Sequence, residues 1–248
     1  MTALRSREEA KALIFGLLLS QDAGRQRGET DWLIEHYSQD VATRALAWHH
    51  QLASTPSGTK IVCLDLAMPA LRKMSPGEGA EFLAATEHLI VSDGEIVWFE
   101  FMLRKMLQRH LGDAFGHPSA TGPAITSLTP IAAEIRLLLS TFARLSDADA
   151  SAAFAVAAGE FLQHSGQAID LLDASACTVD AMAGALDRCS LATPLVHKQL
   201  LRMCGLAAAR DGVLSDAEAE LLRAVADSLG SALPPFIASL TPSSGNPG

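Results

Sequence analysis

Aromatic residues make up only 5% of this 248-residue chain, although 49% of it is hydrophobic. Ala and Leu supply most of the apolar set. Strand cores prefer Val, Ile and aromatics, whereas Ala and Leu favour helix. No sustained apolar/polar alternation is present, so helix is expected nearly everywhere. Cysteine is equally scarce: Cys63, Cys177, Cys189 and Cys204 form no C-x-x-C pair. This excludes a zinc ribbon, and a chain of this length needs no disulfide framework. Each cysteine is expected on a helix as a small buried hydrophobe, in a reducing compartment. Long apolar runs are missing too. Ala12 to Leu19 is far shorter than the ~20 residues that a span requires. Lys11 precedes that run, but no small-residue cleavage site follows and Glu8 and Glu9 lie upstream, so it makes a poor export signal. Positive charge is in deficit, with a formal net charge of −9. No Lys/Arg cluster with interleaved aromatics offsets it, which excludes nucleic acid as a partner. H-E-x-x-H, G-x-S-x-G, a Walker loop and G-x-G-x-x-G are all absent, so no catalytic residue and no cofactor is assigned.

What is present is a succession of helix patterns. The first runs from Arg7 to Leu19 and is broken by the polar stretch Ser20 to Gly28. Helices follow near Thr30–Tyr37 and Asp40–Ala53, then the turn Ser54-Thr55-Pro56-Ser57-Gly58. Lys60 to Met74 forms the next, kinked or broken by Pro69. Ser75-Pro76 starts another as N-cap and first helical residue. It ends at Asp93-Gly94, and a further helix runs from Val97 to Leu111, stopped by Gly112. Three prolines and two glycines over residues 113–130 read as a linker or long loop. Pro130–Leu145, Asp147–Gln163 and Thr178–Cys189 are helical, with Asp147 and Asp149 favouring a positive helix end. The tail after Thr241 is expected to be disordered. The division is therefore 1–112, a linker over 113–130, 131–240, and a tail over 241–248.

One signal rises above this. Two segments align without gaps at a single offset. Ser75-Pro76 matches Thr193-Pro194, Asp93-Gly94 matches Asp211-Gly212, Ile96 matches Leu214 and Glu100 matches Glu218. Leu103, Leu107 and Leu111 match Leu221, Val225 and Leu229, and both copies stop at Leu-Gly. Each unit reads as capped helix, Asp-Gly turn, helix, glycine stop, giving an all-α helical bundle with a duplicated helix-turn-helix unit. Gly94 and Gly212 are expected in the left-handed conformation. Ser215 and Glu218 form an S-x-x-E capping box, and Val97 leaves the first copy's box incomplete.

The acidic positions have two readings. Asp93, Glu95 and Glu100, or Asp211, Asp216 and Glu218, could hold a hard divalent cation weakly, carboxylate being the right ligand type. The EF-hand spacing is missing, however, and a turn with a helix cap accounts for the same residues. His36, His49, His50, His88 and His110 show no zinc spacing and read as scattered helix-surface or helix-end residues. His110 suits a helix C-terminus. Trp98 and Phe99 form either a partner-binding surface or a crowded, buried helix start. Arg104, Lys105 and Arg109 read as the solvated face of that helix.

The stretch from Leu64 to Pro76, the segment Leu89 to Gly94 running on through Phe99-Glu100 to Leu111, and Ala12 to Leu19 together resemble a known class. They are similar to the C-terminal region of bacterial HtpX-like and CAAX-prenyl-protease-like membrane zinc metallopeptidases. The two Asp-Gly turns resemble those of TerB-like tellurite-resistance domains, all-helical modules with acidic, metal-associated turns. The resemblance implies an accessory interaction domain in protein quality control or stress, without the peptidase's zinc motif. Its implied partner is a membrane metallopeptidase or its substrates, in the cytoplasm at the inner face of the inner membrane. The TerB-like side implies instead a divalent-cation-binding stress domain, with Asp93, Glu100, Asp211 and Glu218 as its ligands.

Overall fold

The computed structural model describes residues 6–55, 57–92, 97–112, 124–145, 149–209 and 212–233. The described residues form α-helices joined by short connections, with one isolated backbone bridge between Ile125 and Ala192 and no strand. The chain divides into two compact units, Met1–Ser119 and Ala120–Gly248. No described helix is long and apolar enough to cross a membrane.

The first unit contains α1 (Arg7–Leu18), α2 (Ala23–His36), α3 (Gln39–Leu52), α4 (Ser57–Leu71), α5 (Pro76–Val91) and α6 (Trp98–Leu111). The apolar run of α1 becomes its core: Ala12, Leu13, Ile14 and Phe15 are fully buried, and α1 packs on α3, α4 and α5. The crossing of α1 with α3 is close because Gly16 has no side chain. A Cβ there would lie 2.5 Å from the Ala45 carbonyl oxygen. Phe15 also packs edge-on against Tyr37, with ring centroids 5.0 Å apart.

The break after α1 covers only residues 19–22 rather than the whole stretch from Ser20 to Gly28. Helix α2 begins at Ala23, because the Asp22 carboxylate accepts from the N–H groups of Gly24 and Arg25 at 3.1 and 2.9 Å. A good N-cap outweighs the propensity cost of Gly24 and Gly28. Pro69 sits in the last turn of α4 and has no N–H to continue the helical hydrogen bonding; the helix ends two residues later, at Leu71.

The second unit contains α7 (Ala132–Leu145), α8 (Ala150–Ser165), α9 (Val179–Cys189), α10 (Pro194–Ala208) and α11 (Asp216–Ser228). The last part of the expected linker is folded. Ile125 bridges to Ala192, Leu128 and Ile131 are buried, and a 3-10 turn over Thr129–Ile131 leads into α7. Helix α7 packs on α8, α9 and α10, and α10 packs on α8 and α11. Asp149 caps α8 by accepting from the Ser151 N–H at 3.0 Å. Between α8 and α9 the chain runs extended along α7 and is held by residues one turn apart. Arg136 donates to the Asp170 carbonyl (2.9 Å), Ser140 Oγ accepts from the Leu172 N–H (3.0 Å) and Arg144 donates to the Leu172 carbonyl (2.8 Å).

The offset seen in the sequence recurs in the elements. Helices α5 and α6 begin at Pro76 and Trp98, and α10 and α11 begin 118 residues later, at Pro194 and Asp216. Burial follows the same register. Leu64, Met68 and Leu71 on α4 are buried, as are Met182, Leu186 and Cys189 on α9. Phe82 and Leu89 match Leu200 and Ala207, and Met106 and Leu107 match Ala224 and Val225. In each unit the matched helices also pack on one another, α5 on α6 and α10 on α11.

Candidate functional site

The second Asp-Gly corner is built as its residues dictate. Gly212 takes φ +81°, the left-handed region, and its N–H donates to the Ala209 carbonyl at 3.1 Å. Leu214 drops into the core. Ser215 then caps α11 in extended conformation. Its N–H and its hydroxyl both donate to Glu218 Oε2 at 2.8 Å, and the Glu218 N–H donates to Ser215 Oγ at 3.3 Å. Glu218 is 3% exposed. A carboxylate this enclosed and already holding the helix start is poorly placed to coordinate a cation. Asp216, one residue into α11, faces solvent. Asp211 lies outside the described residues.

At the first corner Asp93, Gly94, Glu95 and Ile96 lie outside the described residues. Glu100 does what Glu218 does, accepting from the Val97 N–H at 3.1 Å. Valine has no hydroxyl to return the bond, so the box is half formed, as its sequence dictates. The helix stops also differ between the copies. Gly230 is left-handed at φ +60°, and the Ser231 N–H returns to the Ala226 carbonyl. Gly112 stays right-handed at φ −55°.

Two further carboxylates were not singled out from the sequence. Glu78 completes a capping box with Ser75 and is bridged by Arg7 at 3.1 Å. The Ser75 backbone and hydroxyl donors, and then Arg7 and Lys11, hold its carboxyl below the usual range. The S-x-x-E spelling of residues 75–78 carries that signal. Glu29 is 7% exposed on α2. It accepts from the Ser20 N–H at 2.8 Å and from the Ser92 hydroxyl at 2.9 Å, tying the α1–α2 connection to the end of α5. Nothing in the spelling around Glu29 signals this.

Of the five histidines expected at helix surfaces or ends, His50 is exposed as expected, and the other four are engaged within the fold. Trp32 lies between His36 and His88, with ring centroids 4.1 and 4.2 Å away. His49 is buried, contrary to the surface expectation, and its Nδ1–H donates to the Gly16 carbonyl at 3.2 Å. Burial pulls its pKa down. At the end of α6, His110 Nδ1 accepts from Arg72 Nη2 at 2.7 Å, and Arg72 also donates to the His110 carbonyl. The cation answering that helix dipole is therefore Arg72. Among the described residues no three His, Cys, Asp or Glu side chains gather where they could hold a metal ion.

Two side-chain expectations are corrected, and Trp98 with Phe99 falls between its two readings. Lys105 is 5% exposed rather than solvated, because α6 is covered on that side too, and Arg104 pairs with Glu87 at 2.6 Å. Cys177 lies after a 3-10 turn rather than on a helix and is only half-buried. Trp98 and Phe99 are half-buried: Trp98 packs edge-on against Phe101, and Lys60 Nζ stands 5.6 Å over the Phe99 ring. In the second unit a shallow groove of about 360 Å³ runs between α8 and the extended segment, floored by Ala155, Ala158 and Gly159 and walled by Ile169.

Comparison with family models, with curated proteins and with solved structures finds no match to this chain.

Proposed function

We propose that this chain is a non-catalytic helical interaction module, the accessory partner of a membrane zinc metallopeptidase. In this reading it works in protein quality control, in the cytoplasm at the inner face of the inner membrane. One observation carries the module reading. Several of the described side chains that could do chemistry are spent on holding helices. Glu78, Glu100 and Glu218 each close the start of a helix, and His49 holds the α1–α3 crossing. His197 Nε2–H donates to the Cys189 carbonyl at 3.0 Å and joins α10 to α9. What remains outward includes large apolar side chains, among them Val62, Leu66 and Val97. The peptidase association rests on the resemblance of residues 64–76 and 89–111 to the C-terminal region of that class.

The test is direct. The full chain, incubated with an unfolded protein and zinc, is expected to leave the substrate intact; metal-dependent cleavage overturns the non-catalytic reading. Titrated against a purified HtpX-like peptidase in detergent, it is expected to bind and to change the peptidase's rate on a casein-type substrate. Neither binding nor a rate change removes the peptidase as partner.

A further inference from the structure

The run between α8 and α9 contains good helix formers, Ala168, Leu171 and Leu172, and is not a helix. Gly166 takes φ +70° and closes α8, and the chain goes on extended. A local preference overridden by the fold marks a place to look for function. The run is gripped from one side only. Arg136 donates to the Asp170 carbonyl, while Ser140 and Arg144 engage the N–H and the carbonyl of Leu172. In extended backbone the main-chain groups of successive residues point to opposite sides. Residues 170 and 172 therefore face α7, and Ile169 and Leu171 turn their N–H and carbonyl groups the other way. Among the described residues nothing hydrogen-bonds to those groups. They stand two residues apart, the spacing at which one β-strand bonds the next. The contacts from α7 hold this edge in place before any partner arrives, which lowers the ordering cost of binding.

Beside this edge lies the groove of about 360 Å³. Ala155, Ala158 and Gly159 form its floor, Leu162 is exposed at its rim, and Ile169 and Leu171 line the opposite side half-buried. A Cβ on Gly159 would meet nothing within 4 Å, so the floor has room above it. Asp170 is the one charged residue of the lining, and Arg136 pairs with it. An occupant therefore meets an apolar, uncharged wall. A helix spends its main-chain groups internally and would leave the edge unsatisfied, and a lipid chain has no such groups to offer. An extended chain offers both: N–H and carbonyl groups at two-residue spacing along one edge, and side chains at alternate positions for the floor.

We propose that the run over residues 168–172 is a docking edge for an extended peptide. The peptide adds as a strand beside Ile169 and Leu171 and sets uncharged aliphatic side chains over Ala155, Ala158 and Gly159. The proposal rests on the interaction-module reading and gives it a surface in the second unit.

The experiment titrates the full chain with a fluorescent peptide of about eight residues in which valine alternates with threonine. Two derivatives carry N-methyl groups, one on the valine amides and one on the threonine amides, so that each loses the donors of one edge. One derivative is expected to bind at least about tenfold more weakly and the other as well as the parent, because a single edge of the peptide faces the run. Gly159→Leu fills the floor from an open helix position. It is expected to weaken the parent peptide at least about tenfold, with circular dichroism unchanged and Tm not lowered. Ala155→Leu, at an exposed position, is expected to do the same. A helical peptide of leucine and glutamine is expected not to compete. Loss of binding in both derivatives or in neither, or full binding to both filled variants, overturns the proposal. Competition by the helical peptide overturns it too, as does a dimer in sedimentation that Gly159→Leu dissolves. Should the parent peptide fail to bind at about 1 mM while the chain still engages and modulates a peptidase, this edge is wrong and the module reading stands. Should both fail, the module reading falls as well.

Discussion

At the scale of single residues, backbone geometry and burial set the outcomes. Gly212 has φ +81°, and a Cβ added there would meet no neighbour. The cost of Gly212→Val is therefore backbone strain alone, about 1–3 kcal/mol, and thermal unfolding is expected to show a lower Tm. Gly212→Asn is expected to cost less, since asparagine tolerates this region; equal losses would place the damage elsewhere. His49 gives a pH dependence. Its folded pKa lies below its unfolded value of about 6.5, so the folded state binds fewer protons. Stability is full above that value and is lost as pH falls through it toward the folded pKa. The urea midpoint is expected to drop from about pH 7.5 to about pH 5.5 by more in the native chain than in His49→Gln. The cation reading is tested by calorimetric titration with calcium, magnesium, zinc and manganese. With Glu100 and Glu218 committed to helix starts, heats are expected to be unchanged by Asp93→Ala with Asp211→Ala. A heat that this pair abolishes would restore the reading. Legibility at this scale follows how local a role is. The Ser215–Glu218 box joins residues three apart, so its spelling suffices. Glu29 joins residues 9 and 63 positions away, and only the fold brings those together.

At the scale of elements, the starts of α6 and α11 differ by one cap. Ser215→Ala removes the acceptor for the Glu218 N–H and is expected to cost about 1 kcal/mol. Val97→Ser supplies the missing half of the first box and is expected to stabilise by up to about 1 kcal/mol, read as a higher urea midpoint. A loss from Val97→Ser would mean that the valine's packing outweighs the cap. Gly16→Ala is expected to be among the more damaging single changes, by about 1–3 kcal/mol or more, since its Cβ would press on the Ala45 carbonyl. Most helix boundaries were legible because caps and apolar period agree: Arg7, Val179 and Trp98 begin helices within a residue or two of where the pattern places them. The start of α2 was not. Gly24 and Gly28 weigh against a helix locally, and Asp22 tips the balance through hydrogen bonds to the backbone. Lys105 was misassigned for a related reason: period marks which face of α6 is apolar, but the packing of neighbouring helices decides how much of its rim is covered.

At the scale of the whole molecule, the all-helical class followed from the Ala/Leu bias and the missing alternation. The division of the chain was read from the Pro- and Gly-containing stretch 113–130 alone, because the two halves are built from similar residues and differ in no other way in composition. The cysteines offer a readout of global integrity. Cys204 is fully enclosed and its thiol is pushed far up by burial; that of Cys189 is raised to about 12 by burial and by Glu134. Of the four thiols, Cys177 is expected to react first with a disulfide reagent and Cys63 more slowly, while Cys189 and Cys204 wait for the second unit to unfold. Reaction of all four at one rate would contradict the packing of α9 and α10. The extended run along α7 has a consequence of its own. Because Arg136, Ser140 and Arg144 grip it through its main chain beyond Ser165, cutting the backbone at exposed Gly166–Ala168 would leave both ends tethered. A nicked chain should run as a single species on a sizing column and separate into two fragments only in denaturant, so the same position offers a natural seam for reassembling the unit from halves.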